Sequence, residues 1–386
     1  MPLSPRLGWI GVDVGTHTVK LAQAVRDGAG VRLHRAAVIQ RSTAWSSDDT
    51  LALEQPITSF SELREALECG GFVGRDAICS LPMNVCQLRA LNVPPGSQRE
   101  RRTMIADELA DDWAELRQPM DFDFWELEPG RGEKGSEGFN VSVLAASRLW
   151  IDQLHRDCRR NGLDCWALDG TPLAMARAVS LAGGLAGGRR VLAVDWGFSN
   201  TTACVVGDDR PLYSRRIHDC AFGTVLEAIM RLFDATLDEA QYLAESQGLA
   251  APQADNLEDF SARQSADAAP DGAAERPATT WVDDHKTQTA ITDAAESSLH
   301  ELTRQLGRTL EFMAAQRRQL QPTAIWLLGG GASMRNVGPY LKHALALPVH
   351  IWNVVPDKAP IPCAAGHRSA IFGGAVALSA SVWRAA

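Results

Sequence analysis

Apolar and polar positions along the chain trace the same pattern twice. Trp9–Val14, Val19–Val25 and Val31–Ile39 alternate or run apolar, with polar turns at Gly15-Thr16 and Asp27-Gly28-Ala29-Gly30. Such runs read as three short strands folded back on one another. The arrangement returns at Val191–Asp195, Thr202–Val206 and Pro211–Ile217. In each half the first strand ends on an aspartate, then one residue, then a glycine: Asp13-Val14-Gly15 and Asp195-Trp196-Gly197. Two matching meanders predict an α/β protein of two duplicated lobes that close on a shared ligand.

Between and behind the meanders the periodicity changes. Ser61–Cys69 reads as a helix stopped by Gly70-Gly71, Asp76–Leu81 and Val85–Leu91 as strands, and Ser97 as the cap of a helix over Gln98–Leu116 with Ile105, Leu109 and Trp113 on one face. Phe122–Leu127 and Asn140–Ala146 read as strands around a Gly/Glu-rich turn at Glu128–Glu137. Leu149–Asn161 is helical, Cys165–Asp169 a strand and Pro172–Leu181 a helix, ending before Gly183-Gly184 and Gly187-Gly188, where the lobe boundary is placed. After the second meander come helices at Gly223–Phe233 and Leu237–Ser246. Residues 250–290 are rich in Ala, Asp and Pro with few apolar anchors and read as a disordered or loosely packed insertion. A long helix over Asp293–Leu320 carries Leu299, Leu302, Leu306, Leu310 and Met313 on one stripe. A buried strand ending in Gly329-Gly330-Gly331, helices at Val337–Leu345 and Ala370–Trp383, and a strand at Val349–Val354 complete the chain.

The 386 residues, 45% of them hydrophobic, suffice for two cores. The net charge of −9 argues against nucleic-acid binding. The short basic cluster Arg99, Arg101 and Arg102 is interleaved with acids and reads as a solvated helix face. The 8 cysteines include no C-x-x-C pair and no Cys/His group with zinc spacing, so they read as buried reduced thiols of a cytoplasmic protein. The amino-terminal residues lack a secretory pattern, and no apolar run approaches the roughly 20 residues that cross a bilayer.

The chemistry lies in the two Asp-x-Gly turns. Glycine lets a phosphate approach the backbone, and the following N–H groups and hydroxyls can cradle its oxygens. A carboxylate at the lip of that cradle would repel phosphate directly and instead hold Mg2+ through water. Either aspartate alone could equally be a turn carboxylate capping its own backbone; occurrence at matching places in two meanders favours the shared ligand. The strand–Gly–helix unit at 329–331 is a further place for backbone to lie against a nucleotide, or simply for a helix to pack closely. Lys20 reads as either a strand-face lysine or a phosphate counter-charge. Glu108 reads as a solvated helix residue, and His34, His155, His343 and His367 as structural.

Meander–helix repeated with an Asp-Gly loop at each first turn resembles the actin-like ATPase fold. The run Asp13-Val14-Gly15-Thr16-His17-Thr18-Val19-Lys20 is similar to the first phosphate motif of the PilM family and of the cell-division protein FtsA. Ala145-Ala146 through Gly162-Leu163, Leu168-Asp169 with Leu173–Ala178, and Leu328–Ser333 with Val337-Gly338 and Leu347-Pro348-Val349 resemble PilM in order and spacing. The resemblance implies an actin-like (ribonuclease-H-like, duplicated) two-lobed fold with an inserted 1C-type subdomain. Lobe I would comprise 7–55 and 141–188, with the inserted subdomain at 56–140. Lobe II would span 189–360 with the insertion 250–290, and 361–386 would return a helix to lobe I.

The resemblance also implies a cytoplasmic, ATP-binding scaffold of a type IV pilus or a related secretion or competence system. It would be peripheral to the inner membrane, bind the N-terminal tail of a PilN-like membrane protein, and be at most a slow ATPase. Contacts with pilus motor or platform proteins and with further copies of the chain belong to the same picture. Type II secretion relatives continue into a transmembrane segment, which makes them the lesser match. By this likeness Asp13 and Asp195 would flank Mg2+. Gly15, Thr16, His17 and Thr18 would cradle phosphate from one lobe, with Lys20 neutralising it, and Gly197, Ser199, Asn200 and Thr201 from the other. Gly329, Gly330, Gly331 and Ala332 would lie against adenosine. The family's Glu-Ala-Glu-x-x-Lys helix reads here Glu239-Ala240-Gln241-Tyr242-Leu243-Ala244, so Gln241 would reach the ribose and the cation over the base is missing. That substitution keeps a second reading open, an actin-like scaffold that binds no nucleotide. A third, a small-molecule kinase of the same superfold, would need a catalytic aspartate between the lobes, and the inserted module occupying that stretch counts against it.

Overall fold

A computed structural model describes residues 6–28, 30–41, 60–81, 83, 85–116, 119–126, 139–217, 219–251, 284–316, 320–354 and 366–383. The expected polar loop at 42–55, the turn at 128–137 and most of the 250–290 insertion lie outside these residues.

Two five-stranded sheets repeat one topology. The first joins β1 (Arg6–Val14), β2 (Thr18–Asp27), β3 (Gly30–Gln40), β4 (Asp76–Leu81) and β8 (Asp164–Gly170) in the order β3-β2-β1-β4-β8. The second joins β9 (Val191–Trp196), β10 (Thr201–Gly207), β11 (Arg210–Ile217), β12 (Ile325–Leu328) and β13 (Val349–Ile351) in the order β11-β10-β9-β12-β13. In both sheets the meander is antiparallel and the two later strands add in parallel. The shared order is the duplication that the paired apolar runs predict.

A third sheet, β5 (Cys86–Val93), β7 (Phe139–Ser147) and β6 (Met120–Glu126), is antiparallel in the order β5-β7-β6. Helix α2 (Gln98–Leu116) covers it with Ile105 and Leu109, which pack on Val141 and Val143 in a small core of their own. Ser97 caps α2 as expected: its hydroxyl accepts from the Glu100 N–H at 3.3 Å while the Glu100 carboxylate accepts from the Ser97 N–H at 2.7 Å. On this helix Arg101 pairs with Glu126, and Arg102 donates to the Phe122 carbonyl and pairs with Asp123, so these cations serve the subdomain's own surface.

The remaining helices are α1 (Phe60–Cys69), α3 (Arg148–Arg160), α4 (Thr171–Leu181), α5 (Phe222–Phe233), α6 (Leu237–Ser246), α7 (Asp284–Gln316), α8 (Val337–Leu345) and α9 (Gly373–Ala380). Helices α4 and α9 lie between the two large sheets. Met175, Val179, Ala375 and Val376 join Ala22, Ala24, Ala193, Val206 and Trp352 in one buried cluster, and the Trp352 indole donates to the Ala178 carbonyl at 2.7 Å. The small residues of α9 permit near contact of helix and strand. Gly8 and Gly11 on β1 face the backbone of Ala375 and Ser379, and the Ser379 hydroxyl donates to the Trp9 carbonyl and accepts from the Ala24 N–H.

Two expectations need correction. Helix α7 begins at Asp284, not Asp293, so residues 284–290 belong to a regular helix rather than to a loose insertion. The early turns hold few apolar residues, but Thr287 is buried and Ile291 anchors the start in the lobe II core. The C-terminal element is not one helix over 370–383: Gly366–Phe372 and Ser381–Trp383 are 3-10 turns flanking the short α9. The expected stripe of α7 is seen, with Leu299, Leu302, Leu306 and Met313 fully buried and Leu310 partly so.

Helix α6 starts on a capping box. The Thr236 hydroxyl accepts from the Glu239 N–H at 3.4 Å and the Glu239 carboxylate accepts from the Thr236 N–H at 2.9 Å. Thr236→Ala should lower stability by about 1 kcal/mol, read as a shift of the urea midpoint without a change in slope.

Candidate functional site between the two lobes

The two Asp-x-Gly turns have the same local geometry. The Gly15 N–H donates to the Thr18 carbonyl at 2.9 Å, and the Gly197 N–H donates to the Asn200 carbonyl at 3.0 Å. A Cβ on Gly15 would lie 2.8 Å from the Thr18 oxygen, and one on Gly197 would lie 2.8 Å from the Asn200 oxygen. Each turn therefore demands glycine for its own closure. The first turn is braced by Arg41, whose N–H donates to the His17 carbonyl at 2.9 Å and whose guanidinium donates to the Gly15 carbonyl at 3.2 Å. Burial lowers Arg41 to about 10, so it stays charged at neutral pH.

The turns bring Asp13, Lys20 and Asp195 into one electrostatic group. Asp13 accepts from the Ser80 hydroxyl at 2.8 Å on one oxygen and has Lys20 Nζ 3.5 Å from the other. Asp195 accepts no hydrogen bond among the described residues. It keeps some exposure but is crowded by protein. Burial pushes its carboxyl up to about 6, with Lys20 pulling it down and Asp13 pushing it further up. An ionised carboxylate without a partner, beside a second carboxylate, is a place where a divalent cation relieves repulsion. The hard oxygen donors suit Mg2+ held through water. Backbone also closes in here: a Cβ on Gly374 would lie 3.2 Å from the Asp13 carboxylate, and one on Gly329 would lie 2.2 Å from Asp195 Oδ1.

The remaining expected residues are placed unequally. Thr16 and Thr18 are half-buried on the first turn, and Ser199 is exposed with Asn200 half-buried on the second. Thr201 is fully buried, and its hydroxyl donates to the Cys220 carbonyl at 3.1 Å, away from a phosphate. The His17 ring stacks on Phe198 with centroids 4.2 Å apart, which joins the two loops across the lobes. Its Nδ1 is buried without a hydrogen bond, and burial lowers its pKa, so the ring is neutral at pH 7. Trp196 is a core residue: it is fully buried, packs edge-on to Phe222 and donates to the Cys220 carbonyl at 2.8 Å.

At the third glycine run, Gly329 has φ 83° and passes against Asp195, and a Cβ on Gly331 would lie 2.2 Å from the Trp196 ring. These two glycines answer to packing within the protein. Gly330 alone of the three keeps accessible backbone, and Ala332 is buried with its N–H bonded to the Gly329 carbonyl at 3.2 Å. Beside Gly330, Ser333 donates to the Gly330 carbonyl at 2.6 Å. Gln241 donates to Glu245 at 3.0 Å, and Glu245 is held by Arg368 at 2.8 Å. Ala244 is fully buried.

Ser80, Phe198, Glu245 and Arg368 were not anticipated. Glu245 follows Gln241 by one helical turn on α6, a spacing visible in the sequence. Ser80, Phe198 and Arg368 carry no local signal, because their partners lie on distant elements.

No protein-family model matches the chain, and no curated protein matches it in sequence. Solved structures do. A PilM–PilN type IV pilus biogenesis complex is similar over 96% of this chain and 97% of that one, at 22% identity and a TM-score of 0.69. The ethanolamine utilization protein EutJ from Carboxydothermus hydrogenoformans is similar over 98% of this chain and 91% of its own, at 14% identity and a TM-score of 0.50. The duplicated sheet order, the paired Asp-x-Gly turns and this full-length match to PilM together establish an actin-like fold of the PilM kind.

Proposed function

We propose that the chain is an ATP-binding scaffold of a type IV pilus or related secretion system that holds the N-terminal tail of a PilN-like membrane protein. The observation that carries this reading is Asp195: a carboxylate without a hydrogen-bonding partner, raised to about 6 and facing Asp13 from the matching turn of the other lobe. Asp13 and Asp195 would hold Mg2+ through water. When bound, Mg2+ offsets the negative charge of the phosphates. Backbone N–H groups and hydroxyls of Thr16, Thr18, Ser199 and Asn200 would orient the phosphates, Lys20 would share its charge between Asp13 and phosphate, and Gly330 with Gln241 would meet the nucleoside. The chain would be at most a slow ATPase, with nucleotide setting lobe closure.

The partner reading is supported by a groove of about 220 Å³ between the third sheet and lobe II. Leu88, Arg89 and Ala90 line it from β5, and Leu212, Tyr213 and Ser214 from β11. Both strands are sheet edges among the described residues, and edges accept an extended peptide. No helix among the described residues is long and apolar enough to cross a membrane, so membrane association would pass through that partner.

Calorimetry with ATP and Mg2+ tests the proposal. Saturable binding to the wild type, lost in the Asp13→Ala, Asp195→Ala double variant, is the expected result. A PilN-like tail peptide should then bind more tightly with nucleotide present. The His17–Phe198 stack and the engaged Thr201 hydroxyl favour a second reading, a scaffold that binds the tail without nucleotide. Peptide binding with no ATP binding to the wild type would establish that reading and overturn the first.

A further inference from the structure

The cysteines depart from the expectation of scattered, buried thiols. Cys69 is exposed, and three others converge in lobe I. Cys79 on β4, Cys158 on α3 and Cys165 on β8 bring their sulfurs within 4.8 Å of one another. Cys79 Sγ lies 3.4 Å from Cys158 Sγ and 3.8 Å from Cys165 Sγ. We propose that these three cysteines form a binding site for a thiophilic d10 cation, Zn2+ foremost, which ties the outer edge of the lobe I sheet to α3.

The spacing is the first argument. Sulfurs at the corners of a tetrahedron around zinc, each about 2.3 Å from the ion, stand about 3.8 Å apart. The separations of 3.4 and 3.8 Å lie at or just inside that edge length. A disulfide uses two thiols and requires the sulfurs at about 2.05 Å, leaving the third cysteine unexplained.

Preorganisation is the second. Cys158 lies in the last turn of α3 and Cys165 is the second residue of β8, and the turn between them is tightly held. The Leu163 N–H donates to the Cys158 carbonyl at 2.9 Å, and Gly162 takes φ 78°. Arg75, next to the start of β4, donates to the Gly162 carbonyl at 2.8 Å. Three elements are thus fixed around one point before any ligand arrives, which is what a rigid ion site requires.

Access is the third. Cys79 and Cys158 are buried, but Cys165 is only half-buried on the edge strand, giving an ion a route in. His155 is exposed one turn before Cys158 on α3 and interacts electrostatically with Cys165. Water would fill the fourth position. Binding takes the ion from water and releases the thiol protons to solvent as the sulfurs become thiolates; no electron is transferred. Sequence spacing hides this site, because Cys79 comes from a strand far upstream.

The test uses the full chain, reduced and chelator-treated, titrated with Co2+ and then Zn2+. One equivalent of Co2+ with a thiolate charge-transfer band and tetrahedral d–d bands, displaced by one equivalent of Zn2+, is expected. Cys165→Ser, at a half-exposed position that should leave the fold intact by circular dichroism, should weaken binding by at least about 100-fold, the upper range for losing even a supporting residue. Cys69→Ser should bind like the wild type. Displacement by Cu+ with the same dependence on Cys165 would also support the site. Absence of the cobalt spectrum in the wild type, or its persistence in Cys165→Ser, would overturn the proposal. So would mass spectrometry showing a disulfide among the three cysteines as the stable form of the isolated protein.

Discussion

Asp195→Asn should yield a protein that is more stable than the wild type at pH 8 and unable to hold magnesium nucleotide. The carboxyl of Asp195 is raised from 3.8 to about 6 in the fold, so the folded state takes up this proton more readily than the unfolded chain. The stability tied to it is complete below about pH 4 and is lost as pH rises through 6. A shift of about two units corresponds to roughly 3 kcal/mol, and the residue's remaining exposure brings the expected change to about 1–2 kcal/mol. The wild type should therefore lose stability between pH 4 and 7, and the asparagine variant should not show this loss. Nucleotide binding with Mg2+ should weaken by at least about 100-fold, or some 2.7 kcal/mol. Urea titrations across that pH range and calorimetry on the same preparations read both effects. A variant that is less stable, yet binds as the wild type does, would remove Asp195 from the cation site.

Gly11→Ala should be the most damaging small substitution in the sheets. A Cβ there would lie 1.9 Å from the Ala375 carbonyl oxygen and 2.8 Å from the Ser379 nitrogen, both backbone atoms of α9. Neither can rotate away, so the helix must shift and the buried layer between the sheets must loosen with it. A loss of about 3 kcal/mol is expected, at the upper end for overpacking. Gly307→Ala provides the contrast. It lies inside α7 with nothing within 4 Å of a new Cβ, and should raise stability by about 1 kcal/mol through helix propensity. Equal losses at the two positions would show that chain flexibility, not the close approach to α9, governs Gly11.

The strands were legible because each is a short apolar run bounded by Gly, Asp or Pro, and because the run order occurs twice. Gln98–Leu116 and Val337–Leu345 were read with their observed bounds because a cap or glycine marks their starts. The beginning of α7 was not legible: Lys286, Thr287, Gln288 and Thr289 carry no apolar stripe, and only packing of Thr287 and Ile291 against lobe II fixes them as helix. The C-terminal segment misled in the opposite way. Its Ala-rich composition reads as one helix, while packing divides it into turns around the eight residues of α9. Within the candidate site, repetition exposed Asp13 and Asp195. The Ser80 contact, the His17–Phe198 stack and the Glu245–Arg368 pair depend on residues 67, 181 and 123 positions apart, and no local pattern encodes such meetings. The role of Gly331 was likewise hidden, since its small size serves Trp196 rather than an open surface.

The bond from Ser379 to the Trp9 carbonyl spans 370 residues, and it has a consequence for biosynthesis. At about 5–20 residues per second, the ribosome delivers α9 roughly 20–70 s after β1 has emerged. Throughout that interval the glycine face of β1 has no helix to lie against, while the second meander and α5 to α8 are already available to each other. The first strand made is therefore among the last to be covered. A nascent chain halted before residue 373 should expose β1 to added protease, and the completed, released chain should protect it.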